Sequence, residues 1–515
     1  MLRIVLLLIL VLAFMMSSSS SSSSYYLLLL PSSAHASTYV PTLSYNTNDE
    51  IPSIINDPTL KVEEVVRGLD LPTTMAFLGP NDILVLEKDK GTVQRIVNGK
   101  ILPEPLLDVN VATSVERCMC GIAISKSNSN SSGSSISSNI GPTTTYVFLY
   151  FTEAQTTDSE DVAQGKAPLG NRLYRYELDN NNNKLINPVL LLDLPAVPGP
   201  RHNGGAIMIG PDNNLYIPIG DVDGSGMGDA FETKAQNYVN GVEPDGRSGI
   251  LRITQDGKPV GVDVGGGATT ITTTTTSNGI LGNSFPLNLY YAYGIRNSYG
   301  IDFDPITGKL WETENGPGEG DEINLVEPGF NSGWQELMGI DSRQEDFDPV
   351  KDLVDFGGKG KYSGPEFTWS SHTVGPTALK FLNSDNKYGK QYDNDMFVGD
   401  VHNGNIYHFK LNEARTDLVL GGGLLADKVA DSDSELEESA AGVGGIIFGK
   451  GFGGITDLEV GPDGYLYVVS IGQGAIYRIV QTSDGPSTIT KADDMETAGA
   501  AEDGDSSDND EDGED

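Results

Sequence analysis

Histidine, cysteine and positive charge are all scarce in this chain. Its 515 residues include five His, two Cys and three Trp, and 33 Lys+Arg stand against 72 Asp+Glu, a formal net charge of -39. Such a balance excludes nucleic acid and anionic lipid as partners, because a binder of either gains by neutralising phosphates with Lys and Arg. Two cysteines alone make no zinc site. They are Cys118 and Cys120, in "ERCMCG". Residues two apart on a strand share a face, and their Cα atoms lie near the upper limit for bridging. A strained disulfide and two thiols filling a core face are both open; we take the thiols. Long segments of 3.6-residue periodicity are few, and beyond the N-terminus no stretch approaches the roughly 18 apolar residues that span a bilayer.

What is present begins with an export pattern. Arg3 precedes the apolar run "IVLLLILVLAFMM", then serines, then "YYLLLLPSSAHA", with Ala34 and Ala36 in the A-x-A arrangement of a cleavage site. Residues 1–36 therefore read as a signal peptide and 37–60 as a linker; a retained membrane tether is the rival. The expected location is secreted or at the cell surface. At the other end, 483–515 is an acidic tail. About a dozen acids follow Lys491 with almost no apolar side chains, a composition that does not pack.

Between these ends lies β-rich sequence. With 62 Gly and 27 Pro, short apolar runs are bounded by turn residues. One pattern recurs: a Gly/Pro/Asp turn and then a strand, in "LGPNDILVLEK", "GPTTTYVFLYFTEA", "GPDNNLYIPIGD", "FDPITGKLWETENG", "YDNDMFVGD" and "GPDGYLYVVSIG". Several copies lead to a second strand: "GTVQRI", "NRLYRYEL", "GNIYHFKL", "GAIYRI". About six such units imply an all-β, six-bladed β-propeller of four-stranded antiparallel sheets over 61–482, with a β-sandwich array as the competing architecture. Low-complexity inserts near 126–145 and 262–279 lack core-forming residues and loop out.

Two clusters carry chemistry. His202 lies in "PGPRHNGG", in a loop ahead of a strand that ends at Asp221. An imidazole held in one tautomer by a carboxylate suits general-base work at neutral pH, although a lone histidine in a β protein is more often a hydrogen-bonded structural group. The second cluster is "GIRNSYGIDFDPITGKLWETENGPGEGDEIN". There Arg296 and Asn297 precede a strand, Gly316 and Pro317 offer turn carbonyls, and Asp321 and Glu322 add carboxylates. Hard oxygens of this kind suit Ca²⁺; the bland alternative is a Gly-rich turn with a solvated acidic patch. His372 precedes a turn and is a weaker candidate. His408, on a strand, reads as structural.

Taken together, "RHNGGAIMIGPDNNLYIPIGD", the Arg296 segment through "GFNSGW", and "ITDLEVGPDGYLYVV" resemble the soluble glucose/sorbosone dehydrogenase family, over roughly Val62 to Val480. The resemblance implies a propeller that uses pyrroloquinoline quinone (PQQ) and Ca²⁺ to oxidise aldose sugars at C1, passing electrons to an acceptor that the sequence does not identify. It implies His202 as the base that takes the C1 hydroxyl proton, with Asp221 beside it. Arg296 and Asn297 match contacts to the quinone oxygens, where fixed donors stabilise developing charge. Gly316 and Pro317 match carbonyl ligands of Ca²⁺, and Asp321 and Glu322 a region that helps hold a second Ca²⁺ in some members. Glu116 falls at a polar cofactor contact, although "ERCMCG" departs from the family pattern there. His402 aligns with a cofactor-binding lysine.

Other departures concern cations. Gly454 and Thr456 stand where the family has two arginines, just before Asp457. A tricarboxylate needs such partners, each charge-assisted hydrogen bond being worth about 1.5–3 kcal/mol. Arg201 and Arg117 are the residues placed to compensate. The competing function is a Ca²⁺-stabilised extracellular propeller that binds glycans or proteins without catalysis; a metal-dependent lactonase lacks the converging carboxylates it would need.

Overall fold

The computed structural model describes residues 52–127, 144–156, 166–261, 279–340, 346–371, 373–420, 423–437 and 445–483. The expected signal peptide, nearly all of both inserts, His372 and the acidic tail beyond Ser483 lie outside the described residues.

The chain folds as an all-β propeller, and the strands of the described residues fall into six sheets. Each of the six recurring turn–strand units supplies one strand to a different sheet: Asp82–Glu87, Thr144–Glu153, Leu215–Ile219, Leu310–Glu314, Met396–Asp400 and Leu466–Ser470. These strands are almost wholly buried, so both faces meet neighbouring sheets and their sequences run apolar without alternation.

Two of the sheets have four strands; the others carry five or six, a departure from the expected four throughout. The extra strands are short additions at the sheet margins. Phe330–Asn331 and Lys361–Tyr362 extend one sheet in parallel register, and Val429–Ala430 extends the next. Ser53–Ile54, within the stretch read as linker, pairs with Ile447–Lys450.

Packing closes the assembly. Six apolar clusters each join one sheet to the next. One sets Leu84 and Leu86 against Met119 and Val147, another Phe397 and Ile406 against Ile455 and Val468. The strand Leu60–Arg67, early in the chain, completes the ring by pairing with the last described strand, Ala475–Gln481. Ends far apart in sequence are thereby hydrogen-bonded together, and the cluster containing Val66, Met75 and Val469 seals the seam.

Antiparallel pairing puts the beginning of one strand beside the end of the next. Ser298 pairs with Glu314, Pro376 with Asp400, Ile455 with Ser470 and Pro72 with Glu87. Their immediate neighbours, among them Thr73, Lys88, Asn297, Asn315, Thr377 and Thr456, line one cavity; strands of five sheets contribute to it, and the loop ahead of the sixth supplies Arg201 and His202.

Candidate functional site

The cavity encloses about 250 Å³, and a second hollow of about 430 Å³ adjoins it; Arg201, His202 and Arg296 line both. The imidazole and the arginine therefore form a shared wall. Gly220 makes their closeness possible. A Cβ there would lie 2.1 Å from the Arg296 carbonyl oxygen and 2.8 Å from the His202 Cβ, so no side chain fits between them.

His202 is buried and held at φ 60°, a left-handed conformation that non-glycine residues rarely adopt. Three contacts fix it. Its Nδ1 lies 2.5 Å from Asp221 Oδ1, its backbone N–H donates to Glu116 Oε2 at 2.6 Å, and its loop packs on Cys120 through Gly205. Asp221 is equally engaged. It accepts from the Trp334 indole at 3.0 Å and from the Asp223 N–H at 3.1 Å. Burial pushes the Asp221 carboxyl up, but His202, the Trp334 N–H and the Arg296 charge prevail and hold it below the usual carboxylate range. The pair is a buried carboxylate that orients an imidazole.

Arg296 stacks its guanidinium over Trp334, 5.3 Å from the ring centroid. Its Nη1 donates to the carbonyls of Asn315 at 2.6 Å and Gly316 at 3.0 Å. Burial lowers its pKa against the raising effect of Asp221, Glu116, Glu314 and Asp223. Asn297 donates to Glu116 Oε2 at 3.2 Å, and Tyr299 donates to the same oxygen at 3.0 Å. Glu116 thus gathers three donors from two other sheets. Arg296 Nε and Asn297 Oδ1 are buried on the cavity wall without a hydrogen-bond partner.

The expected metal residues are not assembled as one site. Asp321 accepts from the N–H groups of Gly316, Val374 and Gly375. Glu322, the next residue on the strand Asp321–Val326, bonds Asn324, Ser332 and the Gly339 N–H instead. Side chains of adjacent strand residues point to opposite faces, so the two carboxylates do not share a cation. Glu322 joins Glu312 and Glu314 in a fully buried group with no adjacent cation among its hydrogen-bonding side chains. Burial raises Glu312 to about 7 and Glu322 to about 8; burial, reinforced by its two neighbours' charges, pushes Glu314 well up. Among the described residues, no group of three or more His, Cys, Asp or Glu side chains is arranged to hold a metal ion.

The cysteines overturn the expectation of thiols: Cys118 and Cys120 form a disulfide, with Cα atoms 5.1 Å apart. The strand bulges where it begins, with a register shift between Met119 and Gly121, which changes the spacing that a regular strand implies. Of the other candidates, Arg201 lines the cavity and donates its N–H to Asp223, and His402 lines the opposite side with Nδ1 3.0 Å from the Thr373 carbonyl. Arg117 is buried away from the lining, donates to the Ala196 carbonyl and is pulled down to about 10 by burial. His408 pairs with Asp395 at 2.8 Å and stacks on Phe397, as expected of a structural residue.

Several lining residues carry no sequence signal of their own. Lys88, just past the strand Asp82–Glu87, contributes a nearly buried ammonium that bonds Asp89 at 2.7 Å and the Thr113 carbonyl at 3.2 Å. Tyr299 and Trp334 were equally silent, although both lie within the long motif around Arg296.

Fold and cavity together define a class: a propeller whose sheets pool a buried imidazole–carboxylate pair with several cationic groups at one hollow. The family model described as Glucose / Sorbosone dehydrogenase matches residues 69–478, and the chain belongs to that family. An uncharacterized protein of Synechocystis sp. is 24% identical over 426 residues, covering 81% of this chain and 85% of that protein. Quinoprotein glucose dehydrogenase B of Acinetobacter calcoaceticus is 30% identical over 202 residues, 38% of this chain and 37% of that protein, so the match spans less than half of either. Among solved structures, the apo soluble aldose sugar dehydrogenase of Escherichia coli has a TM-score of 0.54 at 20% identity, covering 82% of this chain and 100% of that one. The PQQ-bound aldose sugar dehydrogenase of Streptomyces coelicolor gives 0.51 at 21%, covering 83% and 100%. These two likenesses establish the fold.

Proposed function

We propose that this protein is a PQQ-dependent oxidoreductase that oxidises the C1 hydroxyl of aldose sugars outside the cytoplasm, on a propeller in which each of the six sheets is one blade. The observation that carries the proposal is the shared wall. A buried His202–Asp221 pair adjoins Arg296 and Asn297, whose Nε and Oδ1 find no partner among the described residues.

The cavity residues fit a planar polyanion. Arg296 Nε offers an unpaired N–H to one of its carbonyl oxygens, and Lys88 and Arg201 offer positive charge to its carboxylates, with the His402 ring on the same lining. When bound, PQQ supplies a two-electron acceptor for the hydrogen at C1. The chain's own part is proton handling. With Nδ1 tied to Asp221, His202 Nε2 is the nitrogen left to accept the hydroxyl proton, and the Asp221 charge stabilises the imidazolium that forms. Arg296 is fixed by the Asn315 and Gly316 carbonyls and by Trp334, so it needs no reorganisation as negative charge develops nearby.

For Ca²⁺ the chain offers the turn carbonyls of Gly316 and Pro317, fewer than the six to eight oxygens that the ion takes. The Gly316 carbonyl already accepts from Arg296. Among the described residues these two carbonyls do not by themselves complete such a site. The extracytoplasmic location rests on the N-terminal pattern. Among the described residues no helix is long and apolar enough to cross a membrane.

A second reading, a propeller that binds glycans or proteins without catalysis, is favoured by the uncharged Gly454 and Thr456. Titration of the Ca²⁺-supplemented protein with PQQ, followed by aldoses and an artificial dye acceptor, separates the two. Micromolar or tighter uptake with His202-dependent dye reduction supports the enzyme; no uptake at micromolar PQQ supports the binding module.

A further inference from the structure

We propose that the Cys118–Cys120 disulfide is a positioning device for the His202 loop, so that the proton-transfer geometry depends on the oxidation state of this pair. The role given to His202 rests on the function proposed above; the mechanical coupling does not.

Both cysteines are buried, yet both line the cavity that His202 and Arg296 line. The bridge spans Met119 alone, and Met119 is itself anchored. Its N–H donates to the Lys88 carbonyl at 3.0 Å, and its carbonyl accepts from the Thr73 hydroxyl at 2.7 Å. The ring is therefore a fixed post. Two routes lead from it to the imidazole. Directly, Cys120 packs on Gly205, where an added Cβ would sit 3.1 Å from the Cys120 Cβ. Through the chain, the post holds Glu116, two residues before Cys118, whose Oε2 accepts the His202 N–H, the Asn297 amide and the Tyr299 hydroxyl.

The segment leading to the post is strained. Val115 is β-branched and sits at φ 53°, a left-handed conformation that such a residue keeps only where the surroundings enforce it. His202, at φ 60°, is strained likewise. Opening the disulfide removes one constraint on Val115, and relaxation there withdraws the Glu116 carboxylate from the His202 N–H. The chemistry is simple. A dithiol reductant supplies two electrons and two protons, the S–S bond breaks, two S–H bonds form, and the reductant leaves as its own disulfide. In a reducing compartment the loop is loose; after export to an oxidising one it locks.

Amide hydrogen exchange tests the coupling without any cofactor. Oxidised protein, dithiothreitol-reduced protein and the double variant Cys118→Ser/Cys120→Ser are compared. Exchange of the peptide covering residues 202–205 is expected to speed up at least tenfold in both altered forms, to leave the strand Leu466–Ser470 unchanged, and to slow again when the reduced wild type is reoxidised with oxidised glutathione. An unchanged rate at 202–205, or an equal acceleration throughout the propeller, overturns the proposal. PQQ titration of the same samples keeps the two readings apart. If oxidised protein takes up no PQQ, the proposed function fails while the exchange result still decides the coupling. If PQQ binds and 202–205 exchange is indifferent to reduction, the coupling alone fails.

Discussion

Two walls of one cavity differ in what their polar groups do. On the wall of His202, Asp221 and Arg296, side chains from several sheets bond one another, and backbone groups hold the charges in place. On the wall of residues 454–457, polar groups turn away into the neighbouring sheet. The Thr456 hydroxyl donates to the Pro72 carbonyl, Gly454 has no side chain, and Asp457 accepts from the Met75 N–H and the Thr74 hydroxyl. Burial, reinforced by the charge of Glu459, raises Asp457 to about 7. One wall holds a buried imidazole–carboxylate pair and the other is stitched shut, so the pair and the place where an anion would need cations are separable parts of this fold. The positive charge on this cavity's lining comes from elsewhere, at Lys88, Arg201 and Arg296.

Breaking the first wall carries the largest effect. His202→Ala is expected to lower turnover of PQQ-loaded protein about a thousandfold, within the range of a lost general base, while calorimetric PQQ affinity changes much less. Asp221→Asn comes next, with turnover down about a hundredfold because the imidazole loses the partner that sets its tautomer. The same variant has a stability signature. A depressed carboxyl pKa gives stabilisation that is present above the unfolded value and lost as pH falls through the folded one, so the wild type loses stability on the acid side. Asp221→Asn flattens that slope in thermal melts below about pH 4.

Rebuilding the second wall tests the comparison from the other side. Thr456→Arg is expected to tighten PQQ binding about tenfold to a hundredfold, and Lys88→Met to weaken it about tenfold, if each charge-assisted bond has its ordinary worth. Equal affinities in all three proteins would mean that the cavity's cations do not face a polyanion. The smallest effect lies beneath the first wall, where Glu314 accepts the Arg296 N–H. Carboxyls whose folded pKa is raised stabilise below the unfolded value, and that contribution is lost as pH rises through the folded one. With Glu312 at about 7 and Glu322 at about 8, chelator-treated protein should melt a few degrees lower at pH 9 than at pH 6, and Glu312→Gln should remove about 2 °C of that difference.

Much of the site was legible because its residues sit at fixed offsets from strand ends. Asp221 closely follows the recurring strand Leu215–Ile219, Arg296 and Asn297 directly precede the strand Ser298–Phe303, His202 lies in the loop ahead of Met208–Ile209, and these positions gather around the two adjoining hollows. Asp321 and Glu322, neighbours in sequence, carry their carboxylates to opposite faces because a strand alternates its faces. The cysteines misled because regular strand spacing was assumed where the strand bulges. Lys88 and Trp334 had no motif to mark them, since their importance lies in what stands opposite.

By itself the sequence determined the β architecture, its recurring units and the family, because burial pattern and turn chemistry are written residue by residue and repeated along the chain. Only the tertiary structure decided that Glu116 collects donors from two other sheets, that a disulfide closes beside the imidazole, and that the walls of the cavity differ. Those facts depend on contacts between segments more than eighty residues apart, whose meeting is fixed by ring closure rather than by any local pattern.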